Sequence, residues 1–565
     1  MNEFISNKAP NKATGLHTEN HYPNWVPILE QPLYKPRKLR VVCIGAGYSG
    51  LMMAYKWKHQ HDMDESIDLT IYEKNADVGG TWFENRYPGV ACDVPAHIYT
   101  FPFEPNPDWS SFYASGPEIW EYIKRTTTKY NLDECVCFNS RVTSTIWDDI
   151  RGKWIIRVES DGIIKEDEAD VLVNGSGILN KWRWPEIQGL QSFRGKLLHS
   201  ASWDTTLDWT GKRVAIIGNG SSAIQILPKM QPTAGRIATY VRSPTWISAN
   251  FAAELTPGGE NFQYTADQKK NFRENPEDLL QLRKNIEHVF NQQFRTFLRD
   301  SPQQACAYQE FKKNMEERLN HDPSLCARLI PSWQVGCRRI TPGEGYLEAL
   351  RKPNVSTEFD PIEEVTETGI RTAKCTEEFD IIVCATGFDV SFSPSWELAG
   401  KDGIRLADQW RESPEAYFGI CAPNMPNYFM FNGPNCPVGH GSLLAAMDST
   451  AQWILRWCKK IATEHIKSMV VRNDAADDYN TYSQEFLQTT VWAGGCRSWY
   501  KNGKSDGKVT AMYAGSILHY REILESFRTE DFQIKYDGPN RFRFMGNGLT
   551  NRETSGDDLS YYVYK

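Results

Sequence analysis

An α/β chain built on two parallel-sheet units is the fold class this sequence predicts, and three observations carry it. "RVVCIGAGYSGLMMAYKWK" runs from an apolar strand, Val41 to Ile44, through a glycine-rich turn into an apolar-periodic helix. "KRVAIIGNGSSAIQILPKM" repeats that strand–turn–helix pattern further along the chain. "DVLVNGSG" (Asp170 to Gly177) and "DIIVCATGF" (Asp380 to Phe388) are strand-like runs that finish in small residues, as later crossings between two such units do. Together they describe two Rossmann-like dinucleotide-binding domains.

In the first unit Gly45, Gly47 and Gly50 form GxGxxG. The first glycine permits the tight turn, the second lets backbone approach a pyrophosphate, and the third lets helix and strand pack closely. The amino end of the following helix then faces phosphate charge. "DLTIYEK" supplies a second strand ending in Glu73, 23 residues beyond Gly50, where a carboxylate accepts a ribose hydroxyl.

In the second unit Gly218 and Gly220 open the turn, Ala223 stands in the third glycine position, and Ser221 and Ser222 begin the helix. The next strand, "RIATYV", ends in Arg242 and Ser243 rather than in an acid. An arginine there pairs with a ribose 2′-phosphate, which favours NADPH over NADH. An acidic ribose site and a basic one in a single chain point to FAD plus NADPH.

Bulk composition narrows the class. The chain has 565 residues, enough for three or four domains, with 40% apolar and 24% charged residues, in the ordinary globular range. A net charge of −8 without a long basic run argues against nucleic acid as a partner. Nineteen tryptophans suit large flat ligands. The polar amino terminus lacks the apolar segment of a secretory signal, and no apolar run is long enough to span a membrane. Thirteen dispersed cysteines without a CxxC pair argue against a zinc knuckle or dithiol centre and predict reduced thiols in a cytoplasmic protein. No metal site is expected.

Two longer patterns carry a resemblance. "FRGKLLHSASWD" fits FxGxxxHxxxW(P/D) through Phe193, Gly195, His199, Trp203 and Asp204. Gly79, Gly80, Trp82, Tyr87, Pro88, Gly89 and Asp93 fit GGxWxxxx(F/Y)PGxxxD. With the two glycine turns, the chain resembles the type I Baeyer–Villiger monooxygenases, with some local likeness to fungal members. The resemblance implies that the 193–204 segment links the nucleotide domains at a junction. It leaves His199 open between a hinge hydrogen-bonding residue and a buried structural histidine. It places Arg339, in "SWQVGCRRITPGEGYLEAL", as the catalytic arginine, with Asp93 orienting it, and Arg338 on the NADP ribose phosphate. It adds Thr81, Trp82, Asp93 and Tyr99 to the FAD site and Trp499, in "RSWYKNGKSDGK", to the NADP site. Lys501, Asn502 and Gly503 replace the family's usual run there. "FNGPNCPVGHGS" (Phe431 to Ser442) resembles the segment passing near the flavin ring.

The activity so implied is NADPH- and dioxygen-dependent insertion of one oxygen next to a ketone carbonyl, through a C4a-peroxyflavin, giving an ester or lactone. The fixed charge of an arginine suits an anionic peroxide and the oxyanion that follows. Oxidation at sulfur or nitrogen is the alternative within the class. A dithiol reductase lacks its cysteine pair, and an NADP-binding sensor has no use for Asp93 and Arg339. A ketone, bulky and polycyclic on the aromatic content, and dioxygen are the expected partners, with a monomer favoured.

The expected layout is an amino-terminal extension over 1–37 and an FAD domain over 38–182 and 386–535. The NADP domain takes 190–250 and 330–385, with a helical insertion over 251–329 and a carboxy-terminal segment over 536–565. In the insertion, Leu282, Ile286, Val289, Phe290, Phe294, Phe297 and Leu298 read as one helical face, with Asn275 as cap and Pro276 first. Tyr308, Phe311, Met315 and Leu319 read as a second.

Overall fold

The computed structural model describes residues 23–564. Two five-stranded sheets, parallel throughout, organise the chain. The first has the order Tyr428–Met430, Val171–Asn174, Leu39–Ile44, Ile67–Tyr72, Val136–Cys137. The second has the order Val355–Glu358, Arg236–Tyr240, Arg213–Ile217, Ile381–Cys384, Lys196–His199. Each sheet places the strand before a glycine turn at its centre, so each turn opens at the carboxyl edge where such sheets bind ligands. Leu39, Val42 and Cys43 in one central strand, and Val214 to Ile216 in the other, are fully buried, as strands covered on both faces must be.

Two antiparallel additions had no counterpart among the sequence motifs. Arg141–Asp148, Lys153–Ser160 and Ile163–Ala169 form a meander that Glu397–Ala399 extends. Ile362–Val365, Gly369–Thr372 and Thr376–Glu378 form a smaller one. Of the expected amino-terminal extension, residues 1–22 lie outside the described residues. In residues 23–37 the Leu33 amide donates to the Leu549 carbonyl and Tyr34 stacks on Phe544.

The segment between the halves of the second unit is helical, with Ala266–Glu274, Pro276–Gln292, Pro302–Arg318 and Pro323–Leu329. Pro276 takes the first helical position, but the Asn275 side chain does not cap; its Nδ2 donates to Asn271 Oδ1 instead. The single face expected from Leu282 to Leu298 is also corrected. The α-helix ends at Gln292, a 3₁₀ turn covers Gln293–Phe297, and Leu298 lies beyond it. The change of pitch swings Phe294 towards His440 and stacks Phe297 on Trp492. Met315 and Leu319 are fully buried, and Tyr308 and Phe311 meet Trp246 edge-on.

One cysteine expectation is overturned. Cys337 and Cys496, 159 residues apart in sequence, form a disulfide. Spacing rules detect only pairs close in the chain, so folding alone reveals this one. The other eleven cysteines are free. No helix among the described residues is long and apolar enough to cross a membrane.

Candidate active site

The first glycine turn is built for close backbone approach. Gly45 has φ +106°, and a Cβ there would lie 2.8 Å from the Gly175 carbonyl oxygen. A Cβ on Gly50 would overlap the Gly45 carbonyl. Gly47 heads the helix Tyr48–Tyr55, whose first turn has neither a side-chain cap nor an acidic residue, so its amides remain free for an anion. Gly80 approaches from the second pattern: a Cβ on it would lie 3.2 Å from Gly47 Cα. Glu73, just past the end of its strand, is buried, and its two oxygens accept from the Ala46 and Asn75 amides at 2.8 Å each. Burial raises its carboxyl above the ordinary range. Thr81 is exposed at the start of a short helix, and Trp82 Nε1 donates to Tyr99 Oη at 3.3 Å. One uncapped helix start, close backbone approach at the glycines and a buried carboxylate fit a dinucleotide here.

The second turn follows the same rules with one difference. Gly218 has φ +113°, and a Cβ would lie 2.5 Å from the Ala385 carbonyl oxygen, whereas a Cβ on Gly220 would meet nothing within 4 Å. Gly218 therefore serves the fold, and Gly220 leaves open space. Helix Ser221–Met230 again starts uncapped and without an acid. Ser221 Oγ lies 3.2 Å from Thr341 Oγ1, and Ser222 is half-buried beside the Tyr87 hydroxyl. Asn219 donates to the Ser243 carbonyl, and Arg338 Nη1 donates to Ser243 Oγ and the Pro244 carbonyl, each at 3.0 Å. Arg242 and Arg338 are thus drawn to one strand end.

The second pattern also docks the first unit on the second. Tyr87 Oη donates to Gln225 Oε1 at 2.8 Å, and Gln225 Nε2 donates to the Ala91 carbonyl at 3.0 Å. Gly89 has φ +84°, and a Cβ there would lie 2.5 Å from the Gln225 carbonyl oxygen. Gln225 carries no motif signal; only its place on the helix after the second turn hints at it.

This docking brings Asp93 to Arg339. Arg339 Nη2 donates to Asp93 Oδ2 at 2.6 Å, with both side chains half-buried. The Asp93 carboxylate is the main cause holding the guanidinium above its ordinary value, against burial. Tyr500 is buried, which pushes its hydroxyl up to about 12. Its ring meets Trp499 edge-on at 4.8 Å. Tyr500 was not among the expected site residues; adjacency to Trp499 was its only signal.

The junction segment is ordered around His199, which is wholly buried and stacks on Trp182 at 4.5 Å. Its Nδ1 accepts from the Ala201 amide, which puts the proton on Nε2, 3.3 Å from Thr386 Oγ1. Burial lowers its pKa to about 4, so the ring is neutral and fully engaged at neutral pH. The ring is thus held from three sides, by Ala201, Thr386 and Trp182. Phe193 folds over Gly195, where a Cβ would lie 2.5 Å from the ring. Trp203 is half-buried, and Asp204 pairs with Lys196 Nζ at 2.5 Å and accepts from Thr206.

Against known proteins, a flavin-binding monooxygenase-like family model matches residues 38–258. An FAD-binding monooxygenase of Aspergillus terreus, tazF, is 47% identical over 561 residues, covering 98% of this chain and 100% of the relative. The chain belongs to the flavin-binding monooxygenase family. Within this family a Baeyer–Villiger monooxygenase of Pseudomonas aeruginosa is 32% identical, covering 88% of this chain and 92% of the relative. The fold is that of cyclohexanone monooxygenase from Rhodococcus sp. Phi1 bound to NADP+, with a TM-score of 0.76 at 24% identity over 89% of this chain and 100% of that one. As a flavin-binding monooxygenase the chain thus has two dinucleotide folds and a paired arginine between them.

Proposed function

We propose that this monooxygenase uses FAD and NADPH to insert one atom of dioxygen next to a ketone carbonyl, giving an ester or lactone. The observation that carries the reading is the Asp93–Arg339 pair, set between the two turns by the Tyr87–Gln225 docking. Bound flavin supplies electron acceptance and dioxygen activation. The chain supplies binding, position and charge.

Gly45, Gly47, Gly50 and Glu73, with Gly79 to Trp82 alongside, would hold the FAD, and Gly218 to Ser222 with Arg242, Ser243 and Arg338 the NADPH. Arg339 offers a guanidinium that stays protonated at any working pH, aimed by Asp93. Such a group stabilises an anionic oxidant and the negative charge that develops on the substrate's carbonyl oxygen. His199, on the edge strand of the second sheet, is held by Thr386 and Trp182. The same charge is of little use for oxygen transfer to a sulfide or amine, which calls for a protonated oxidant.

Purified enzyme, NADPH and heavy dioxygen, with small and polycyclic ketones plus one thioether, test the reading by mass spectrometry. A labelled ester or lactone is expected. Label confined to the sulfoxide or to hydrogen peroxide would overturn the carbonyl reading.

A further inference from the structure

The Cys337–Cys496 disulfide joins two segments that each continue directly into arginine. Cys337 precedes Arg338 and Arg339, and Cys496 precedes Arg497, with the cysteine Cα atoms 6.2 Å apart. On one side Arg338 is hydrogen-bonded to Ser243, the residue after Arg242. On the other, Arg497 Nε donates to the Gly503 carbonyl at 2.7 Å, which leaves its terminal nitrogens free to point elsewhere. A covalent and hydrogen-bonded path thus runs from Arg242 through Arg338 to Arg497.

Burial lowers Arg242 and Arg338 below their ordinary values, and repulsion from Arg497 lowers both further; no carboxylate offsets it at either. Arg339, one residue away, has Asp93. Converging arginines without a carboxylate make a site for a multiply charged oxyanion.

The loop carrying Arg497 is pinned to itself. Ser498 pairs with Lys504, and the buried Lys501 ammonium donates to the Gly494 and Ser505 carbonyls. Both disulfide cysteines are buried, and Gly494 lies against the Cys337 sulfur. The bridge is the covalent tie between the Arg497 segment and the Arg338 segment.

We propose that Arg497 is a third cation on the 2′-phosphate of NADPH, held there by the Cys337–Cys496 disulfide, so that opening the bridge selectively weakens the phosphorylated nucleotide. The proposal rests on the NADPH reading above. Opening requires a dithiol reductant: it delivers two electrons and two protons, the S–S bond breaks to two thiols, and the reductant closes to its own disulfide.

The test is calorimetric titration of the FAD-loaded enzyme with adenosine 2′,5′-bisphosphate and with 5′-AMP. Arg497→Ala is expected to weaken the bisphosphate about tenfold, as loss of one charge-assisted contact does, and to leave 5′-AMP unchanged. Cys496→Ser and dithiothreitol treatment of the unmodified enzyme should reproduce that loss, and reducing Arg497→Ala should add nothing. If the unmodified enzyme does not prefer the bisphosphate, the NADPH reading fails and this proposal with it. If the preference survives in Arg497→Ala, only the Arg497 assignment fails. If Arg497→Ala loses it but reduction does not, the disulfide has no positioning role.

Discussion

The carboxylate of Asp93 lies 2.6 Å from the guanidinium of Arg339, although 246 residues separate them. Asp93 belongs to the first unit and Arg339 to the later half of the second. Tyr87, Gly89 and Ala91, just before Asp93, seat on Gln225 of the second unit's helix. The ion pair is therefore a product of docking between the two units, and its geometry reports how well they are seated.

Arg339→Ala is expected to bind FAD and consume NADPH but to form no ester. Asp93→Ala, which leaves the guanidinium charged but unaimed, should lower turnover by about 10²-fold, within the range for an oxyanion-stabilising donor. Product yield per NADPH consumed is the measurement. Normal ester yield from Arg339→Ala would remove that residue from the chemistry.

The two glycines of the second turn should separate stability from nucleotide binding. Gly218→Ala forces a Cβ into the Ala385 carbonyl at positive φ and should lower the melting temperature. Gly220→Ala enters open space and, at a helix N-cap, should lower melting less than Gly218→Ala while raising KM for NADPH. Melting curves and NADPH titrations of both variants decide it.

His199 predicts an acid limit. Its folded pKa of about 4 lies below the ordinary histidine value of about 6.5. Its contribution is fully present above pH ~6.5 and is lost, at up to about 1.4 kcal/mol per pH unit, as the pH falls towards 4. His97 and His440 are buried and lowered in the same way and add to the slope. Stability should fall from pH 7 to 5, and His199→Gln should flatten part of that fall in urea melts.

Asp170, at the start of a first-sheet strand, pairs with Arg37 and Lys153 and accepts from the Arg40 amide. Burial opposes its charge, but these partners outweigh burial and hold the carboxyl below the ordinary range. Asp170→Asn should cost about 3 kcal/mol near neutral pH, because it leaves two partly buried cations uncompensated. The difference from the unmodified chain should hold above pH ~4 and shrink only below it, as Asp170 takes up its proton. Urea unfolding at pH 7 and at pH 3 gives the comparison.

Glycine turns were legible because their demands are local: a positive φ at Gly45 and Gly218, a strand before, an uncapped helix after. The identities of Glu73 and Arg242 at the following strand ends were legible for the same reason. The helical insertion was legible as a period, but the break at Gln292 was not, since Phe294 and Phe297 turn towards His440 and Trp492 from the far end of the chain. The sequence by itself thus determined the two nucleotide folds. Only the tertiary structure decided that Gln225 seats the first unit, that Asp93 meets Arg339, and that Cys337 meets Cys496. Those partners lie tens to hundreds of residues apart, and no local backbone preference encodes a contact whose two halves meet only once the sheets have formed.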